Sequence, residues 1–146
     1  MKNFLNLLDT KDNIFVKLEL HSITKMNVPY VNVSINDRLE YSDYLQDTLT
    51  VTGYFDLLMP LCVKVEMLEK QYNQQKETAV VIDSLSIDDF VIIPQYNHLV
   101  VYENEKNFSN STCYLGANGT WNLSVDKPFY QWLHEITGQG WLLTPT

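Results

Sequence analysis

Strict alternation of apolar and polar residues, repeated in segment after segment, restricts this chain to sheets. Ile14, Val16, Leu18 and Leu20 alternate with Lys17, Glu19 and His21. Val31, Val33 and Ile35 alternate with Asn32, Ser34 and Asn36. Leu49, Val51, Gly53 and Phe55 alternate with Thr48, Thr50, Thr52 and Tyr54, and Leu61, Val63, Val65 and Met67 with Cys62, Lys64 and Glu66. A period of two turns one set inward and the other to water, as in an antiparallel sheet with one wet face.

Residues 78–93 differ, with apolar runs at 79–82 and 90–93 that suggest strands covered on both faces. Residues 99–102 predict another short strand. Breaks are expected at 27–29, 36–47, 60, 71–76, 94–97 and 104–111, a spacing that suits a sandwich or barrel. The last third reads as a closing clasp and holds all three tryptophans, Trp121, Trp132 and Trp141. Strands at 112–115 and 120–125 flank Asn118-Gly119, a dipeptide suited to a hairpin turn with positive φ at both central residues. One helix is predicted within 126–138, capped by Asp126, with Pro128 in its first turn and Gly138 at its end. Phe129, Trp132, Leu133 and Ile136 would share its apolar face.

The expectation is therefore an all-β, single-domain, antiparallel sandwich over residues 1–146. Residues 1–12 form an N-terminal arm, and 126–146 carry the helix and a closing strand. Val16, Leu18, Val33, Val51, Val63, Val65, Ile87, Trp121, Leu123 and Trp132 are expected to point inward.

Charge narrows the partners. The net charge is −8, from 18 acidic and 10 basic side chains, and Arg38 is the only arginine. Nucleic-acid binders need clustered cations to displace counterions from phosphate, and here the cations are scattered. Nucleic acid is excluded on that ground, and an anionic membrane surface with it. No segment approaches the ~18 apolar residues of a membrane helix, and the N-terminus lacks the features of a signal peptide. The chain is expected to be made in the cytoplasm, with the thiols of Cys62 and Cys113 free. Five Asn-X-Ser/Thr sequons, beginning at Asn32, Asn107, Asn110, Asn118 and Asn122, then read as Asn-rich turns and Thr-rich strands rather than glycan acceptors.

No catalytic pattern emerges. His21, His98 and His134 are far apart, no Gly-X-Ser-X-Gly elbow exists, and no glycine run opens a helix after a strand. Asp83, Asp88 and Asp89 are the candidate metal ligands, and their oxygens would suit calcium. Asp83 shares the phase of Val81, Leu85 and Ile87, so unbroken alternation would turn its carboxylate inward, at a cost unless a partner or metal meets it. The alternative is a β-bulge at Asp83-Ser84 that resets the phase. Aromatics out of phase with the apolar set are interface candidates: Tyr30, Tyr54, Tyr96, Tyr102 and Phe108.

The Thr-rich strand at 48–55, the double strand with its acidic insert at 78–93 and the Asn118-Gly119 segment before Trp141 carry a resemblance. In architecture they resemble the jelly-roll-like β-sandwich modules of carbohydrate-binding domains and of tailed-phage virion accessory proteins. The resemblance implies two functions. One is a non-enzymatic structural or interaction subunit of a virion (a capsid, neck or tail accessory protein of a phage), with other protein subunits as partners. The alternative is a carbohydrate-binding module with a glycan partner.

Overall fold

The computed structural model describes residues 13–23, 28–68, 78–104 and 109–138. The N-terminal arm, Phe108 and the closing strand around Trp141 lie outside the described residues. Eleven described strands form two sheets. β1 (Asn13–Ser22), β4 (Thr48–Asp56), β6 (Val80–Ile87), β7 (Phe90–Ile93) and β10 (Tyr114–Leu115) make the five-stranded sheet A. Its order is β10-β6-β1-β4, with β7 also pairing β6. Sheet B has the order β3-β2-β5-β11-β8-β9. It is built from β2 (Tyr30–Ile35), β3 (Arg38–Tyr44), β5 (Leu61–Leu68), β8 (Val101–Asn104), β9 (Ser109–Asn110) and β11 (Gly119–Val125). All pairings are antiparallel. The chain thus forms the antiparallel β-sandwich that the alternation predicts, and every residue of the predicted inward set is buried.

Asp83 is where the alternation changes phase. Glu19 faces Ser84 and Leu20 faces Ile82, so Asp83 is the extra residue of a bulge. The buried set moves from Val80 and Ile82 to Leu85 and Ile87, and the Asp83 carboxylate turns outward to the His21 ring at 2.8 Å.

Two-residue turns form where Asn and Asp, the residues most tolerant of the left-handed region, stand in pairs. Asn36 (φ 52°) and Asp37 (φ 65°) join β2 to β3, and Asp88 (φ 50°) and Asp89 (φ 67°) join β6 to β7. Positive φ at both positions matches the twist of the flanking strands. The first turn corrects the expected break at 36–47, which contains β3. The Asn36 side chain anchors it, accepting from Cys62 N at 2.7 Å and donating to the Pro60 carbonyl at 3.2 Å.

Asn118-Gly119 makes no such turn. β10 belongs to sheet A and β11 to sheet B, so residues 116–118 cross between sheets instead of closing a hairpin. Gly119 answers a different demand. A Cβ there would lie 2.2 Å from the Glu103 carbonyl oxygen and 2.6 Å from Asn104 Cα, so only glycine lets β8 approach β11 so closely. The crossover is fastened by Tyr102, whose O–H donates to the Ala117 carbonyl and accepts from Ala117 N at 3.0 Å.

The helix, α1 (Phe129–Thr137), begins later than expected. Pro128 occupies the N-cap, and Asp126 lies outside the helix and does not cap it. Gly138 ends it in the left-handed region (φ 70°), with its N–H on the His134 carbonyl. Phe129, Trp132 and Leu133 enter the core, and Phe129 and Tyr130 both pack on Phe90 at 6.2 Å. No described helix is long and apolar enough to cross a membrane.

Candidate functional site

The outward set of sheet B forms the candidate site. Tyr30 and Tyr44, opposite each other on β2 and β3, meet edge to face with centroids 5.0 Å apart at 87°. Tyr44 is 45% exposed. A relay of hydroxyls runs from this pair. Tyr30 Oη lies 2.8 Å from Ser42 Oγ, and Ser42 Oγ donates to Asn32 Oδ1 at 2.6 Å. Because the Ser42 proton goes to Asn32, the phenol donates to Ser42. With its oxygen so occupied, Asn32 turns its amide nitrogen, two donors, outward.

Register extends this row across the sheet. Asn32 faces Glu66, Glu66 faces Thr120, and Thr120 faces Glu103. One row on, Ser34 faces Lys64, Lys64 faces Asn122, and Asn122 faces Val101. From β3 to β8 the surface spans about 19 Å at ~4.8 Å per strand. Ion pairing passes it by. Of the four described lysines and arginines, Lys17, Arg38 and Lys127 each meet a carboxylate, and Lys64 meets none among the described residues. Glu66, Thr120 and Asn122 likewise have no side-chain hydrogen bond among the described residues, so donors and acceptors stand open to water. At the far end of β3, Tyr41 donates to the Tyr44 carbonyl at 2.8 Å and steadies the strand that carries Tyr44. Burial, then the nearby Asp43 carboxylate, pushes the Tyr41 phenol above its ordinary range, so it stays a donor.

The aromatic candidates do not converge. Tyr30 lies in this row. Tyr54, 68% exposed, stands on the opposite outer face beside Phe15, with centroids 5.1 Å apart. Tyr96 is half-buried against the core in the β7–β8 connection. Tyr102 is corrected outright: it is 3% exposed, and its phase is inward because the 3₁₀ turn Asn97–Leu99 delays the start of β8. Sequence reasoning missed Tyr44 together with its strand, although the Asn36-Asp37 pair was a usable turn signal.

The three aspartates do not assemble a metal site either. Asp83 lies within β6 and Asp88 in the turn that follows it, five residues on, up to about 16 Å at ~3.3 Å per residue. Asp83 is held by His21. Asp88 is engaged as a structural acceptor, taking Phe15 N–H at 2.7 Å on one oxygen and the Tyr130 phenol at 2.8 Å on the other. No group of three or more His, Cys, Asp or Glu among the described residues could hold a metal ion. Thiol chemistry finds no support: both cysteines are free, and burial pushes the Cys113 thiol up against a smaller opposing effect of the Trp121 indole N–H.

Fold and surface together define a β-sandwich with one broad, largely polar outer face on sheet B. No protein-family model matches the chain, and no curated protein matches it significantly. Two solved structures share its fold. One is vCBM60, from a study linking two families of calcium-dependent carbohydrate-binding modules by circular permutation, with a TM-score of 0.52, 11% identity, and coverage of 78% of this chain and 91% of that one. The other is vCBM60 in complex with galactobiose, with a TM-score of 0.52, 12% identity, and coverage of 77% and 97%. The architectural resemblance to carbohydrate-binding domains is therefore supported, and the one to phage virion proteins gains no support from these comparisons.

Proposed function

We propose that the protein is a non-catalytic glycan-binding module whose ligand lies across the outer face of sheet B. The observation that carries this reading is the row from Tyr44 and Tyr30 through Asn32 and Glu66 to Lys64 and Asn122. Its side chains are prealigned by strand register, and Glu66, Lys64 and Asn122 make no side-chain hydrogen bond or ion pair among the described residues. A sugar ring offers a face of C–H groups and a rim of hydroxyls that donate and accept. The first matches an aromatic ring and the second a mixed set of amide, carboxylate and ammonium groups. The apolar groups of this face, the tyrosine pair with Leu39 on β3 and Val101 on β8, are parted by the polar row between them. The shared fold with a module solved in complex with galactobiose supports the same reading.

Among the described residues no group of carboxylates could hold calcium, so the proposed contact is drawn without it. The test is calorimetric titration with galactobiose and then with a panel of neutral oligosaccharides, each with and without chelator. Saturable binding is expected, unchanged by chelator, lost on Tyr44→Ala and Asn32→Ala, and retained on Tyr54→Ala. Loss on Tyr54→Ala with retention on Tyr44→Ala would move the site to sheet A. No binding across the panel would end the proposal.

A further inference from the structure

Among the described residues, the outer edge of sheet A has none of the usual protections. There β4 pairs only with β1, through nine consecutive partners from Asn13↔Asp56 to His21↔Thr48, with no bulge. The other edges are blunted. Sheet A ends on its far side in β7 and β10, of four and two residues. Sheet B ends in the two-residue β9 and in β3, which carries Arg38, Glu40 and Asp43 and a register shift opposite Val33 and Ser34. β4 reads Thr-Leu-Thr-Val-Thr-Gly-Tyr-Phe-Asp, without lysine or proline and with one charge, Asp56, at its end. Folded proteins normally protect a long edge with charge, proline or a bulge, because its in-plane N–H and C=O groups template another strand. Arg38 does not cover those groups. Its guanidinium sits over the Phe55 ring, 4.7 Å from the centroid, and its hydrogen bonds go to Glu40.

We propose that β4 is the interface of a two-fold dimer, pairing antiparallel with β4 of a second copy about an axis at Thr52. This register keeps the full nine-residue overlap and is self-complementary. Tyr54 meets Thr50 of the second copy, and Leu49 meets Phe55, both favourable aromatic–aliphatic or aromatic–β-branched cross-strand pairs. Thr48 meets Asp56, so no like charges face each other, and the two Asp56 carboxylates lie at opposite ends, about 27 Å apart. Each copy contributes a strip about 30 Å long and about 10 Å deep, about 600 Å² for the pair. Tyr54 beside the axis and Leu58 and Met59 toward the ends, which are 68%, 62% and 56% exposed, would add apolar area to that strip.

The consequence goes beyond association. An axis perpendicular to a continuous sheet keeps equivalent faces on the same side. The two copies of sheet B would then present their outer faces side by side. If the glycan reading holds, the dimer is bivalent toward a polymer, and avidity exceeds single-site affinity by on the order of 100-fold or more.

Sedimentation equilibrium of the full chain over rising concentration tests the dimer itself, independently of any sugar. A mass of two chains is expected, with tighter association as salt rises, since each copy carries −8. Thr52→Glu is the discriminating variant. Within one copy the new carboxylate faces Lys17 across β1, which preserves the fold, and at the axis it faces its own copy. It should give a folded monomer with the circular dichroism of the wild type and a melting temperature that no longer rises with protein concentration. Ser86→Glu, on the same face but away from the edge, should leave the dimer intact. A monomer at every concentration and salt, or a dimer undiminished by Thr52→Glu, overturns the proposal. If the dimer holds and no glycan binds, the glycan reading alone has failed.

Discussion

The two outer faces of this sandwich share a scaffold and differ in how their polar groups are used. On sheet A the outward residues are consumed among themselves. Lys17 Nζ lies 3.8 Å from Glu19, Ser84 donates to Glu19 at 3.2 Å, and His21 meets Asp83 at 2.8 Å. On sheet B, Lys64, Glu66, Thr120 and Asn122 stand in register and leave one another alone. Exposure alone would point to the other face, since Tyr54 on sheet A is the most exposed large apolar residue described.

Four substitutions sharpen or break this contrast. The largest effect belongs to the core that both faces share. Trp121 is fully buried between the sheets, and Trp121→Ala should cost ~3–5 kcal/mol in chemical denaturation and weaken both faces together. A loss under ~1 kcal/mol would mean that the faces do not depend on a common core.

An intermediate effect is expected at the end of sheet A, where Tyr130 donates to Asp88. Tyr130→Phe should cost ~1.5–3 kcal/mol at neutral pH, the range for a hydrogen bond to a charged acceptor. Burial, then the hydrogen bond to Asp88 and its charge, pushes the Tyr130 phenol far above the ordinary tyrosine range. The unfolded chain ionises near pH 10. The contribution is therefore complete below about pH 10 and declines as pH rises beyond it. The wild type should lose melting temperature above that pH more steeply than Tyr130→Phe, with glycan affinity on sheet B unchanged at neutral pH. Parallel curves would remove the ionisation argument.

The smallest stability changes give the sharpest comparison. Lys17→Ala and Lys64→Ala should each change stability by less than ~1 kcal/mol, as exposed charges do. They should part in binding, with about a tenfold loss of glycan affinity for Lys64→Ala and none for Lys17→Ala. Equal behaviour would erase the distinction between the faces.

Alternation carried most of this architecture, because burial on one side of a strand writes itself into every second residue. It placed the inner set from Val16 to Trp132, and it flagged Asp83 as the residue that could not follow the period without a bulge. It faltered where a residue serves two masters. Asn118-Gly119 carries turn chemistry, but Gly119 is there for close approach to Glu103, and nothing local in sequence separates those uses. Asn36-Asp37 and Asp88-Asp89 lack glycine and still take positive φ, so the turns fell where the strongest dipeptide signal did not. β3 escaped because an edge strand with Arg38, Glu40 and Asp43 has too little apolar content to announce itself. The candidate site was hidden for the same reason. Tyr44 comes from that strand, and the row it heads exists only once β2, β5 and β11 are set in register.

Tyr102 gives the molecule a mechanical character. Only three residues separate β10 in one sheet from β11 in the other, and the middle one, Ala117, is clasped through both its N–H and its carbonyl by the Tyr102 phenol. Tension entering through β11 from a tethered polymer would reach the opposite sheet almost at once, with no slack loop to unwind. The sandwich should therefore resist pulling as one stiff block, giving way by shear of whole strands instead of peeling open face by face.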